Sequence, residues 1–187
     1  MTKIAVFASG SGSNFQALQE AIERGDLQAT IEVVVTDKPG AYVVTRANNF
    51  NIPVVELAPK SFESKAAYEQ AIVEVLREKN VEWIVLAGYM RLVSDVLLEA
   101  FPSHIINIHP SLLPSFPGKD AIGQALAHGV KVTGVTVHFV DAGMDTGPII
   151  AQAAVEIVEG NREETEHRIH KTEHQLYTAT LQKLFHA

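Results

Sequence analysis

A chain of 187 residues with 47% hydrophobic side chains has the size of one domain and enough apolar material for a continuous core. Its formal charge of -7, with 15 Lys and Arg scattered along it, excludes a general nucleic-acid binder, because phosphate neutralisation needs clustered cations. The absence of cysteine excludes a disulfide framework, a thiolate zinc site and a Cys nucleophile, and no run approaches the roughly 20 apolar residues of a membrane span, so a soluble cytoplasmic protein is expected.

The N-terminal MTKIAVFASG has too short an apolar stretch for a signal peptide and runs straight into a turn. Runs rich in Val and Ile then alternate with segments of helical period: KIAVFAS, IEVVVTD, IPVVEL, VEWIVLAG, SHIINIH, VTGVTVHFV and PIIAQAAVEI. Between them FQALQEAIERG carries Phe15, Leu18 and Ile22 at helical spacing and stops at Gly25. KAAYEQAIVEVLREKN, SDVLLEAF behind an N-capping Ser94, the Gly-interrupted GKDAIGQALAHG and the long REETEHRIHKTEHQLYTATLQKLF read as further helices. Strands that look apolar on both faces imply crossover helices covering both. The expected fold is α/β: a single domain over residues 1–187 with an open, mostly parallel, twisted, Rossmann-like sheet of about seven strands and helices on both faces. VTGVTVHFV differs by alternating, with Gly134, Thr136 and His138 forming a polar face expected to line a cleft.

The first run leads through Gly10-Ser11-Gly12-Ser13-Asn14 directly into a helix, so backbone N–H groups and the positive end of a helix dipole meet in that turn. Phe15 stands where a dinucleotide fingerprint has its third glycine, and no Gly-Lys-Ser/Thr follows, so the turn suits a single phosphate monoester. Asp37, at the end of the second run, keeps a dinucleotide-binding module open as the non-enzymatic alternative; a plain glycine turn capped by Ser13 or Asn14 is the bland one.

Asn107 and His109 project to one side of an extended segment, at the edge where open parallel sheets bind ligands. Pro110, Pro114 and Pro117 stiffen the chain behind them. An amide donor suits a developing oxyanion and an imidazole moves protons near neutral pH, a pair fitted to acyl-type transfer. Asp145, in the glycine-containing loop 141–148, is the expected partner of His109. His167, His170 and His174 share one helix face at zinc-compatible spacing, yet their Glu-rich surroundings read as a solvated face and no metal is expected. His104 and His138 are read as structural, or as supporting the reacting groups.

Together GSGSNFQAL, LAGYMRLVS, INIHPSLLPSFPG, GVTVHFVDAGMDTGPII and TEHQLY resemble the phosphoribosylglycinamide formyltransferases across essentially the whole chain. NIHPSLLP and MDTGP alone point only to the wider folate-dependent formyltransferases, and GSGSNFQAL narrows the choice. With the chain ending at Ala187, an added tRNA-binding or regulatory domain is not expected. The resemblance implies formyl transfer from 10-formyltetrahydrofolate, as co-substrate and without metal, to the amine of phosphoribosylglycinamide in purine synthesis. It implies small-molecule partners, no nucleic acid or membrane, and a monomer or homodimer. Asn107, His109 and Asp145 take the catalytic positions in it. Gly12, Ser13 and Asn14 match the phosphate site, and His170, Lys171, Thr172 and Glu173 the ribose side, His170 at a position where members vary. Lys65, Met90, Arg91, Leu92 and Val93, with Asn107 and the loop Asp141, Ala142, Gly143, Met144 and Asp145, match the folate side. Lys65 stands where the family commonly has Arg, trading a planar fork for a point charge. Formyltetrahydrofolate hydrolysis, with water as acceptor, is the alternative chemistry on the same residues.

Overall fold

All seven apolar runs become strands of one sheet in the computed structural model, which describes residues 1–186. They are β1 (Thr2–Phe7), β2 (Ala29–Thr36), β3 (Val54–Glu56), β4 (Trp83–Leu86), β5 (Ile105–His109), β6 (Val132–Phe139) and β7 (Ile149–Glu156), in spatial order β3-β2-β1-β4-β5-β6-β7. Pairing is parallel from β3 through β5 and antiparallel from β5 to β6 and β6 to β7. The chain winds outward from β1 through β2 to β3, then returns to place β4 on the other flank of β1. The carboxyl ends of β1 and β4 therefore bound the crevice where doubly wound sheets bind ligands.

Helices cover both faces because β1, β2 and β4 are apolar on both. Against one face pack α1 (Ser13–Arg24), α2 (Tyr42–Asn49), α5 (Ala121–His128) and α6 (Arg162–Phe185), through Phe15, Val43, Ile122 and Tyr177. Against the other pack α3 (Lys65–Glu78) and α4 (Asp95–Ala100), through Tyr68, Ile72 and Leu97. Each fully buried side chain of this size contributes roughly 1.5–3 kcal/mol relative to its exposure. α1 stops at Gly25, which takes the left-handed conformation (φ 85°) and donates to the carbonyls of Ala21 and Ile22, as the terminal glycine predicts.

Two features depart from the sequence reading. α2 has no counterpart in it: Tyr42-Val43-Val44-Thr45 looks like a strand, and Ala41 offers no side-chain cap. Crossover geometry and the burial of Val43 and Ala47 override that local preference. At Gly134 and Thr136 the polar face of β6 does not open onto a cleft either, both being buried. The proline loop after β5 covers it, so closely that a Cβ on Gly134 would lie 2.5 Å from Leu112 Cδ2.

Candidate active site

β5 pairs in parallel with β4 and antiparallel with β6, and the reactive side chains gather at this change of direction. Alternation turns Asn107 and His109 to one face, opposite His138 and Thr136 respectively. Asp145, in the β6–β7 loop, adopts a left-handed conformation (φ 56°) that brings its carboxylate back over β5. One oxygen lies 3.6 Å from His109 Nδ1 and also accepts the Gly118 N–H at 2.8 Å. The expected approach of His109 and Asp145 is thus present in the geometry. His109 Nε2 lies 2.9 Å from the Phe116 carbonyl, which can only accept, so Nε2 carries a hydrogen. A second proton, on Nδ1, would turn the facing carboxylate into a partner.

His138 belongs to this cluster more closely than its sequence context indicated. Its Nδ1 donates to the Phe139 carbonyl at 2.8 Å, leaving Nε2 to accept from Asn107 Nδ2 at 3.3 Å, with the other Asp145 oxygen 3.9 Å away. Asn107 is thereby oriented with its NH2 end inward. The available signal was the polar alternation of VTGVTVHFV, which left His138 as structural or as a support to the reacting groups without naming its partner.

Thr136 fastens the proline loop beneath. Its hydroxyl donates to the Ser111 carbonyl at 2.7 Å and accepts from Leu113 N at 3.1 Å and Gln152 Nε2 at 3.0 Å, which uses its full capacity. The rigidity behind His109 therefore comes from a buried hydroxyl as well as from prolines.

At the β1–α1 turn Gly12 is the residue preceding the helix, in the left-handed region at φ 78°. An added Cβ would fall 2.5 Å from Val43 Cγ2, so only glycine fits. No side chain caps α1, contrary to the reading of a turn capped by Ser13 or Asn14, and Asn14 Oδ1 is buried without a partner among the described residues. The N–H groups of the first turn therefore have no side-chain acceptor. Asp37 corrects the dinucleotide alternative: it is 7% exposed and accepts from Ser9 Oγ at 2.6 Å, so its carboxylate is committed inward rather than offered to a ribose.

α6 approaches the same edge. Its C-terminal Phe185 packs on Trp83, at the start of β4, and the Tyr177 hydroxyl donates to Leu86 and Ile106 carbonyls at 2.7 and 3.2 Å. Glu173, one turn earlier, therefore lies beyond the carboxyl end of β4. It is 5% exposed and accepts from His170 Nδ1 at 2.6 Å, a bond that raises the His170 pKa against the opposing effect of burial. Lys171 is exposed, and Thr172 Oγ1 turns back to the Arg168 carbonyl, so neither joins this pair. Burial lowers the His174 pKa. His167, His170 and His174 do not form a group able to hold a metal ion among the described residues.

On the folate side expected from the sequence, Met90, Leu92 and Met144 are exposed apolar side chains at the crevice edge. Val93 is 4% exposed within the second core, which leaves only its backbone for a ligand, and Arg91 lies over the Tyr68 ring at 5.6 Å. Asp141 is exposed but accepts from Thr146 Oγ1 at 2.7 Å and Gly143 N at 3.0 Å, and these bonds, Thr146 first, hold its pKa below the usual carboxylate range. These bonds help shape the loop that carries Asp145. Ala142 and Gly143 are exposed in the same loop, and Lys65 is the exposed first residue of α3.

The chain matches the formyl transferase family over residues 2–181. It is 57% identical over 185 residues to phosphoribosylglycinamide formyltransferase of Bacillus subtilis, covering 98% of this chain and 95% of that protein. The crystal structure of phosphoribosylglycinamide formyltransferase from Bacillus halodurans superposes with a TM-score of 0.95 at 53% identity, covering 98% of this chain and 95% of that one. Glycinamide ribonucleotide transformylase 1 from Geobacillus kaustophilus gives 0.95 at 56% identity, with 98% of each chain covered. With the family matched over residues 2–181 and the fold superposing on these relatives, this chain belongs to the formyl transferase family.

Proposed function

We propose that the chain transfers the formyl group of 10-formyltetrahydrofolate to the amine of 5'-phosphoribosylglycinamide, yielding formylglycinamide ribonucleotide and tetrahydrofolate in purine synthesis. The observation that carries this is the convergence of Asn107, His109 and Asp145 at one sheet edge that also bears a glycine turn opening an uncapped helix. The substrate phosphate would rest on the N–H groups of Gly12, Ser13 and Asn14, with Glu173 accepting from ribose hydroxyls. The pterin ring would lie against the Met90 to Val93 segment and the Asp141 to Asp145 loop.

The amine attacks the formyl carbon, forming the new C–N bond and a tetrahedral oxyanion. Asn107 donates from Nδ2, and an oxyanion draws the Nε2–H of His109 away from the neutral Phe116 carbonyl because it is the stronger acceptor. Asp145 stabilises the imidazolium across 3.6 Å. Collapse breaks the bond to N10 of the folate, and the proton lost by the amine ends on N10, relayed through the His109 and Asp145 pair. These donors supply the charge stabilisation, so the step as written requires no metal. Proximity of two ligands held side by side supplies much of the acceleration.

The test is a steady-state assay of tetrahydrofolate release with both substrates, then with each omitted. Release that requires the phosphoribosylated amine supports the proposal. Equal release without it identifies a hydrolase and refutes transfer.

A further inference from the structure

Ser9 and Asp37 have no part in the chemistry above, yet both are buried, at 3% and 7% exposure, on the floor of the crevice. They lie just beyond the carboxyl ends of β1 and β2, and Met90 just beyond that of β4, three strands adjacent in the order β2-β1-β4. Ser9 Oγ donates to Asp37 Oδ1 at 2.6 Å and accepts the Met90 N–H at 2.8 Å, while Ser9 N donates to the Gly88 carbonyl at 3.0 Å. A hydroxyl has one hydrogen, and giving it to Asp37 fixes its lone pairs toward Met90. The row is therefore directional. Asp37 is not serving its own turn, where Lys38 N bonds Thr36 Oγ1 instead.

Residue by residue, this row joins the two halves of the site. Gly10, next after Ser9, opens the phosphate turn, and Met90 opens the segment against which the pterin is placed. We propose that Ser9, aimed by Asp37, is a positioning residue that fixes the phosphate turn relative to the pterin-side segment, so that amine and formyl carbon meet in register. The proposal rests on the formyl-transfer reading. Its physical basis is that a buried, hydrogen-bonded row holds two loops more rigidly than solvated contacts, and that about 1 Å of misplacement at a reacting centre costs on the order of a hundredfold in rate.

The test uses the full chain with Ser9→Ala, Asp37→Ala, their combination, and Asp37→Asn. Turnover is read with both substrates saturating, and each substrate's affinity is read separately by calorimetry. Loss of alignment lowers kcat at least about tenfold in either Ala variant while each separate affinity stays within about threefold. The double variant matches the single ones because all act on one row, and Asp37→Asn, which keeps an acceptor oxygen, recovers most of what Asp37→Ala loses. Should Asp37→Ala not fold, Ser9→Ala set against Asp37→Asn decides the matter. A kcat within about twofold of wild type in Ser9→Ala, or losses that multiply in the double variant, overturns the proposal. Turnover in the wild type alongside an unaffected Ser9→Ala refutes the positioning role alone, whereas absence of turnover in the wild type refutes the transfer reading and this role with it.

Discussion

Replacing Asp145 by Asn isolates the charge at the centre of the proposed chemistry. The Asn side chain has the same shape, and its oxygen can still accept the Gly118 N–H that Asp145 accepts at 2.8 Å, so the loop should keep its path. What disappears is a negative charge 3.6 Å from His109 Nδ1, in a pair whose side chains are 12% and 8% exposed. Two unit charges at ~4 Å with an effective dielectric near 20 interact by about 4 kcal/mol, and relaxation of the loop and entry of water reduce this by roughly half. A loss of about 2–4 kcal/mol of stabilisation of the imidazolium corresponds to a fall in kcat of ~30-fold to ~1000-fold. Because the loss falls on charge that develops with the oxyanion, the KM values should stay within about threefold of wild type. The assay is tetrahydrofolate release at saturating concentrations of both substrates, with thermal unfolding as the control for folding. A kcat within about threefold of wild type, in a variant that melts like wild type, would refute the role given to this carboxylate.

Gly12→Ala should destabilise the protein by roughly 2–4 kcal/mol, from left-handed strain and from the contact with Val43, and part of that should return in the Gly12→Ala/Val43→Ala double variant; urea unfolding of all three reads this. Tyr177→Phe leaves the Leu86 and Ile106 carbonyls without their buried donor, an expected cost of about 1–2 kcal/mol by urea unfolding, with a raised KM for the phosphoribosyl substrate because Glu173 sits one turn away. The His170 pKa is raised in the folded protein by its bond to Glu173, so its contribution is complete below the unfolded value of about 6.5 and disappears as pH rises through the higher folded value. The melting-temperature gap between wild type and His170→Gln should accordingly be larger at low pH than at high pH, and small throughout because His170 is half exposed; a gap that widens on raising the pH would contradict this assignment.

Strand content was legible in the sequence because β-branched runs bounded by turn residues report a local preference, and all seven runs became strands. The facing of Asn107 and His109 was legible for the same reason, since alternation along one strand is a property of the backbone alone. The glycine turn before α1 was legible as a turn, although the reason Gly12 must be glycine, a Val43 side chain on α2, lay outside any local pattern. α2 itself was missed because its β-branched start opposes the helix that the crossover and the core impose.

Sequence by itself determined the order of the seven strands, the apolar faces that make both layers necessary, and the residue types able to polarise a carbonyl, since each follows from short-range periodicity and side-chain chemistry. Tertiary structure alone decided which of those residues meet. It set Asp145 beside His109, gave His138 to Asn107 and turned Asp37 inward to Ser9 instead of outward to a ligand. Distances between segments far apart in the chain depend on how strands order in the sheet and how loops close over their ends, and no local period encodes them.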